Sequence, residues 1–263
     1  MIDYCYHTHT YRCGHAVGKE EEYVLSAIKH GIKVLGFSDH VFIPGLEQEG
    51  IRGHYSELDD YIDTVNELKE KYKDQIEIHL GFECEYSEKL DDYYHYLLEE
   101  KGVEYLIQGQ HLFFLEDGTV DWLFSHKVDR DAILKRYVDE LIKGMISGLF
   151  SYIAHPDLFI KLYEEITPYV EEQMRRICAA AAKYHVPLEI NLGGIRFERY
   201  KYDKLTYANE RFFQIASEYD VEVIVGVDAH NPNDFDCDIS DYDFAEMLIN
   251  AYHLKHKNRL KLK

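Results

Sequence analysis

Ile2-Asp3-Tyr4-Cys5-Tyr6-His7-Thr8-His9 opens the chain with a short apolar and aromatic run that stops on two imidazoles spaced two residues apart. A run of this kind reads as a buried strand. Residues i and i+2 of a strand face the same side, so His7 and His9 point together at its C-terminal end. Working outward, similar runs return at residues 34–37, 76–82, 105–108, 151–154, 188–191 and 223–227. Between them lie stretches of helical spacing. Residues 19–30 begin with Glu20, Glu21 and Glu22, where a helix N-terminus favours acids, and stop at Gly31. Ser56 and Asp59 form a capping signal for a helix to 72, Ser87 caps one to 100, and another spans 131–146 after a loop holding Trp122. Thr167 followed by Pro168 opens a helix to 184, and a last one covers 242–256.

Strands alternating with helices predict a parallel sheet, and seven such units predict an α/β fold, a (β/α) barrel one strand short of the usual eight. No linker or shift of composition divides the chain, so residues 1–263 read as one domain. The lysine-rich end, residues 255–263, reads as a solvated terminus.

With 46% hydrophobic and 30% charged residues, the chain is neither collagen-like nor disordered. No apolar stretch approaches the roughly 18 residues of a membrane span, and the first residues lack the pattern of a signal peptide. A cytoplasmic location is expected. The cysteines, Cys5, Cys13, Cys84, Cys178 and Cys237, are odd in number and contain no C-x-x-C pair, which argues against a disulfide framework or a cysteine zinc knot. With 49 acidic against 29 basic side chains the net charge is −20, a field that repels nucleic acid and anionic lipid, so neither is an expected partner.

Parallel barrels build their sites at the C-terminal strand ends. Here those ends are followed by His7, His9 and His15; Asp39 and His40; Glu83 and Glu85; His111; His155; Asn191 and Arg196; and Asp228 and His230. Asp228-Ala229-His230 repeats the two-residue spacing of the opening pair, and a carboxylate with imidazoles suits zinc, iron or manganese. His7, His9, His15, His40, Glu83, His111, His155, Asp228 and His230 make nine candidate metal ligands, more than one ion accepts, so two or three metals with bridging carboxylates are expected. The resulting cationic pocket inside an acidic shell suits a small phosphorylated substrate. His30, His79, His95, His126, His185, His253 and His256 lie in helices, mid-strand or in the tail and read as structural, and His54 lies in a loop on the site side.

The ordered motifs Asp3-Tyr4-Cys5-Tyr6-His7-Thr8-His9-Thr10 with His15, Gly36-Phe37-Ser38-Asp39-His40, Gly81-Phe82-Glu83-Cys84-Glu85-Tyr86, His111, His155-Pro156-Asp157 and Gly226-Val227-Asp228-Ala229-His230 resemble the polymerase and histidinol phosphatase (PHP) family over nearly the whole chain. The length and the segment from Glu189-Ile190-Asn191 to Arg196 resemble its histidinol-phosphatase branch. The resemblance implies a distorted (β/α)7 TIM-like barrel and a trinuclear centre of divalent Zn, Mn or Fe. In it, His7, His9, Glu83 and Asp228 hold one ion, Glu83 bridges to a second on His111 and His155, and His15, His40 and His230 hold the third. It further implies hydrolysis of L-histidinol phosphate, in histidine biosynthesis, by a hydroxide bridging two metals. Arg196, or Arg199 in its place, is the expected phosphate clamp. Asp39 and His54 are the candidate proton donors to the leaving oxygen, with orientation of His40 as the other reading of Asp39. Glu85, Asp117 and Asp121 are candidates for gripping the substrate's amine or imidazole. Gln110 and Val227 stand where the family commonly has a small hydroxyl residue, and Gly193 and Gly194 where Ser and Thr are frequent. The alternatives are a phosphotyrosine-protein phosphatase or a nucleic-acid phosphodiesterase on the same metals, and a metal-binding regulatory module without catalysis.

Overall fold

The computed structural model describes residues 2–125, 129–198, 205–236 and 241–262. Seven parallel strand positions close a ring. β1 (Tyr4–Cys5), β2 (Val34–Phe37), β3 (Glu77–Cys84) and β4 (Tyr105–Gln108) pair in that order. The next position is reduced to a single residue: Ile153 pairs in parallel with Gln108 on one side and Leu188 on the other. The run at 151–154 therefore sits where a strand is expected, but it makes isolated bridges and no extended ladder. An antiparallel hairpin, β5 (Leu112–Phe114) with β6 (Val120–Trp122), occupies what reads in the sequence as a loop. β7 (Leu188–Asn191) pairs with β8 (Glu222–Gly226), and a parallel bridge between Thr8 and Ala229 returns the ring to the first strand.

The helices α1 (Glu20–Lys29), α2 (Leu58–Tyr72), α3 (Asp91–Glu99), α4 (Arg130–Ser147) and α5 (Pro168–Tyr184) fall within a few residues of their sequence signals. Thr167 caps α5, its hydroxyl accepting from Val170 N at 3.3 Å. α2 is entered differently from the sequence reading: the His54 imidazole, not Ser56, caps a 3-10 turn at Tyr55–Glu57 that leads into the helix. Two short helices, α6 (Leu192–Glu198) and α7 (Glu210–Ala216), fill the connection before β8, and α8 (Asp241–Tyr252) follows it. The tail is not simply solvated. β9 (Lys255–His256) adds to β8 in parallel, Arg259 reaches Asp3 at 2.7 Å, and Tyr4 Oη lies 2.9 Å from His256 Nε2. No helix among the described residues is long and apolar enough to cross a membrane.

The abundant tyrosines do more than pack. Where a ladder stops, carbonyls lose their partners, and a buried hydroxyl restores one. Tyr94 donates to Glu85 O at 2.6 Å, Tyr137 to His155 O at 3.1 Å and Tyr61 to Gly81 O at 3.1 Å, which clamps the strand ends that carry the candidate ligands. Tyr105 crosses the barrel interior to Tyr6 O and Phe37 O at 2.8 and 3.0 Å. Its ring lies against Gly81, where a Cβ would collide with it. Gly81→Ala is expected to overpack this layer and cost about 1–3 kcal/mol, read as a lowered denaturation midpoint at unchanged slope.

Candidate metal centre

The Thr8–Ala229 bridge builds the centre. His9 N donates to Ala229 O at 2.9 Å and Ala229 N to His7 O at 3.2 Å. Because the two middle residues pair, the flanking pairs His7/His9 and Asp228/His230 emerge on a common side. His7 Nε2 lies 3.1 Å from His9 Nε2, and both are 3.4 Å from Asp228 Oδ1. Glu83, at the end of β3, is the hub: Oε1 is 2.7 Å from His155 Nε2 and 3.6 Å from His111 Nε2, and Oε2 is 3.0 Å from His40 Nδ1 and 3.4 Å from His9 Nε2. Gly109 must be glycine here, since a Cβ would overlap the Glu83 carboxylate. His15 and His230 complete the outer edge with their Nε2 atoms 3.1 Å apart. All nine side chains read from the sequence as ligands are thus gathered at one mouth of the barrel. Two of them, His155 and Asp228, have φ of 30° and 51°, the left-handed region that non-glycine residues rarely adopt.

The donors fit divalent cations. Sets such as His7, His9 and Asp228, or His7, Glu83 and His155, bring their ligand atoms within 4.8 Å of one another. Glu83 Oε2 and Asp228 Oδ1 are buried with no hydrogen bond, a costly arrangement that a cation relieves. The ionisation states agree. Burial and nearby His230 push the His9 pKa down to about 3, burial lowers His40 well below 6.5, and burial with His230 lowers His15. Burial disfavours charge on Glu83 and Asp228, but the imidazoles around them hold both well below the ordinary carboxylate range. Neutral rings and anionic carboxylates are the forms a metal requires. His7 and His111 are the exceptions: burial opposes charge on both, yet Glu189, Asp228 and Glu83 raise His7 well above 6.5 and Glu83 with Glu85 raises His111, so an ion bound there would displace a proton.

The centre floors a cavity of about 690 Å3 walled by Val17, Ile51, Trp122, Phe124, Leu158 and Tyr207, with Asp234 and Asn231 at its edge. Several sequence assignments move. Asp39 is buried and does not line the cavity; Oδ1 and Oδ2 accept from Thr10 N and Oγ1 at 2.8 and 2.6 Å, so it neither faces a leaving group nor orients His40. His54 is exposed and pairs with Glu47 at 2.8 Å, away from the cavity lining. Arg196 donates to Asp228 O at 2.8 Å and lies 3.5 Å from Asp234 Oδ2, bracing the ligand-bearing turn. Arg199, Cys237 and His126 lie outside the described residues. Glu85 is buried against Arg52, and Asp117 and Asp121 are bonded at the β5–β6 hairpin, so none of the three lines the cavity.

Sequence reading missed the roles of four residues, Glu189, Trp122, Phe124 and Lys161. Glu189 Oε1 accepts from His7 Nδ1 at 2.8 Å, while Oε2 accepts from His155 N at 2.9 Å and Asn191 Nδ2 at 2.8 Å. A carboxylate inside the apolar run Leu188-Glu189-Ile190 was its signal, because buried charges need partners. Trp122 and Phe124 come from the unforeseen hairpin and the segment after it. Lys161 places its ammonium 5.5 and 5.6 Å from the ring centres of Phe124 and Tyr207, both cavity walls.

A parallel α/β barrel with imidazoles and carboxylates clustered at the C-terminal mouth defines the class, a barrel with a candidate metal centre. The chain belongs to the PHP domain family, whose model matches residues 6–193. It is 24% identical over 240 residues to the "Probable histidinol-phosphatase" of Deinococcus radiodurans, covering 87% of this chain and 86% of that one. It is also 24% identical over 259 residues to the histidinol-phosphatase of Bacillus subtilis, covering 87% and 93%. Its fold matches the crystal structure of histidinol phosphate phosphatase from Lactococcus lactis subsp. lactis, solved with zinc, L-histidinol and phosphate, with a TM-score of 0.71 at 16% identity over 98% of each chain.

Replacing Glu189 by Gln puts an amide N–H against groups that already donate. Glu189→Gln is expected to weaken metal affinity about 10–100-fold with the far-UV spectrum retained, measured by competition with a chromogenic chelator; undiminished affinity would remove Glu189 from the centre.

Proposed function

We propose that the protein is a metal-dependent phosphomonoesterase, residues 1–263 forming one catalytic domain, that hydrolyses L-histidinol phosphate to L-histidinol and phosphate. The observation that carries this reading is the convergence of Glu83, Asp228 and seven imidazoles on the floor of an aromatic-walled cavity. The names of the curated relatives support the substrate. Three divalent ions are assigned: one on His7, His9, Glu83 and Asp228, a second on Glu83, His111 and His155, and a third on His15, His40 and His230. Bound there, such ions lower the pKa of water towards neutrality and offset charge on phosphoryl oxygens.

The chain's own residues do the remainder. Glu189 holds the His7 ring with Nε2 turned to His9, where it would meet an ion, and Arg196 steadies the Asp228 turn. Lys161 supplies positive charge at the cavity edge, towards which a phosphate dianion is drawn despite the acidic exterior. Trp122, Phe124 and Tyr207 exclude water and offer flat faces to the leaving alcohol's ring.

Chelation is expected to abolish phosphate release from histidinol phosphate, and zinc, manganese or iron to restore it; undiminished turnover of metal-free protein would refute the scheme. The same assay should rank histidinol phosphate above a phosphotyrosine peptide and single-stranded DNA in kcat/KM, and the reverse ranking reassigns the substrate. His9→Ala and Asp228→Asn should each lower kcat by about 10³-fold or more while the fold persists, since each removes support for the ion that activates water.

A further inference from the structure

Arg52, on the loop between β2 and α2, is a fully buried cation outside the ligand set. All three of its guanidinium nitrogens donate. Nε donates to Gln48 Oε1 at 2.6 Å, one terminal nitrogen to Val41 O at 2.8 Å, and the other to both oxygens of Glu85 at 3.0 and 3.1 Å. Glu85 Oε1 lies 3.3 Å from His111 Nδ1, the ring nitrogen opposite the one facing Glu83. Two residues before Arg52, the Gly50 carbonyl is 3.1 Å from His15 Nδ1, while the other nitrogen of that ring faces His230. One anchored loop therefore backs two candidate ligands on different strand ends, His15 directly, beside the Cys13 carbonyl also 3.1 Å from Nδ1, and His111 through Glu85. The corresponding support for His7 comes from Glu189 on the opposite side of the barrel.

A buried ion pair contributes little net stability compared with an apolar pair of equal volume, so Arg52–Glu85 has weak justification as a folding device. Its geometry suits another task. The planar fork fixes the carboxylate plane, which a lysine does not, and a carboxylate bonded to one ring nitrogen directs the lone pair of the other.

We propose that Arg52 is a positioning residue: through Glu85 it aims His111, and through its loop it holds Gly50 against His15, so that retention of the ions on those two rings depends on a side chain that touches no donor atom of the centre. The inference rests on the metal reading above. It requires selective loss, because the ion assigned to His7, His9, Glu83 and Asp228 has its ring support from Glu189, which Arg52 does not touch.

Zinc alone is the probe. Metal-free wild type, R52K and the double variant R52M/E85L are equilibrated against buffered free zinc, with bound equivalents and affinities read by elemental analysis and chelator competition. The melting temperature of each metal-free form is measured alongside. The double variant replaces the ion pair by an apolar pair, which keeps the protein folded where R52M alone would strand Glu85. Wild type is expected to bind several equivalents. Both variants should retain one class of site at wild-type affinity and bind the others about 10–100-fold more weakly, with the double variant's metal-free melting temperature not lowered. Uniform weakening of every class, or no weakening of any, would overturn the positioning role. A wild type that binds no zinc would instead overturn the metal reading beneath it.

Discussion

One main-chain pairing, Thr8 with Ala229, closes the barrel and creates the site in the same act. Were the register one residue different, the two-residue periodicity of strands would turn one chelating pair away from the other. The first and last strands of the ring are more than two hundred residues apart in sequence, so the centre is assembled only when the whole barrel is. Tyr4 reinforces the joint from below, where its hydroxyl meets Val225 N, His256 and Lys257 O.

Around that joint the protein gathers an unusual density of buried carboxylates. Glu83, Glu85, Glu189 and Asp228 all lie within hydrogen-bonding or ion-pairing reach of a candidate ligand imidazole. Each has a distinct answer to the cost of burial: Glu85 has a guanidinium, Glu189 three N–H donors, and Glu83 and Asp228 the rings themselves. The last two retain unsatisfied oxygens, and those are the oxygens that face the cluster. The arrangement separates carboxylates that hold rings from carboxylates left open towards a cation.

Much of this was legible in the amino-acid order. Short apolar runs ending in His, Asp or Glu revealed both the barrel and the candidate ligands, because strand period and the placement of barrel sites are local rules. What depended on tertiary context was not legible. Arg196 reads as a free guanidinium but is committed to the Asp228 carbonyl, and Asp39 reads as a rim acid but turns inward to Thr10. The hairpin carrying Trp122 lacks alternation strong enough to distinguish it from a loop, and the strand at Ile153 is too short to form a regular ladder. The tail reads as solvated because its lysines dominate its composition, whereas Lys255 and Lys257 pair with Asp220 and Glu222, and His256, Arg259 and the backbone tie it to the first and last strands.

The left-handed backbone at His155 and Asp228 has an evolutionary corollary. At such positions glycine is the residue that thermostability alone would favour, by roughly a kilocalorie or two per site. A role as metal ligand would demand the opposite choice. If both side chains hold ions, these two codons set robustness against chemistry, and a descendant that no longer bound them would be free to resolve the conflict, drifting first at the very places where its ancestor was most constrained.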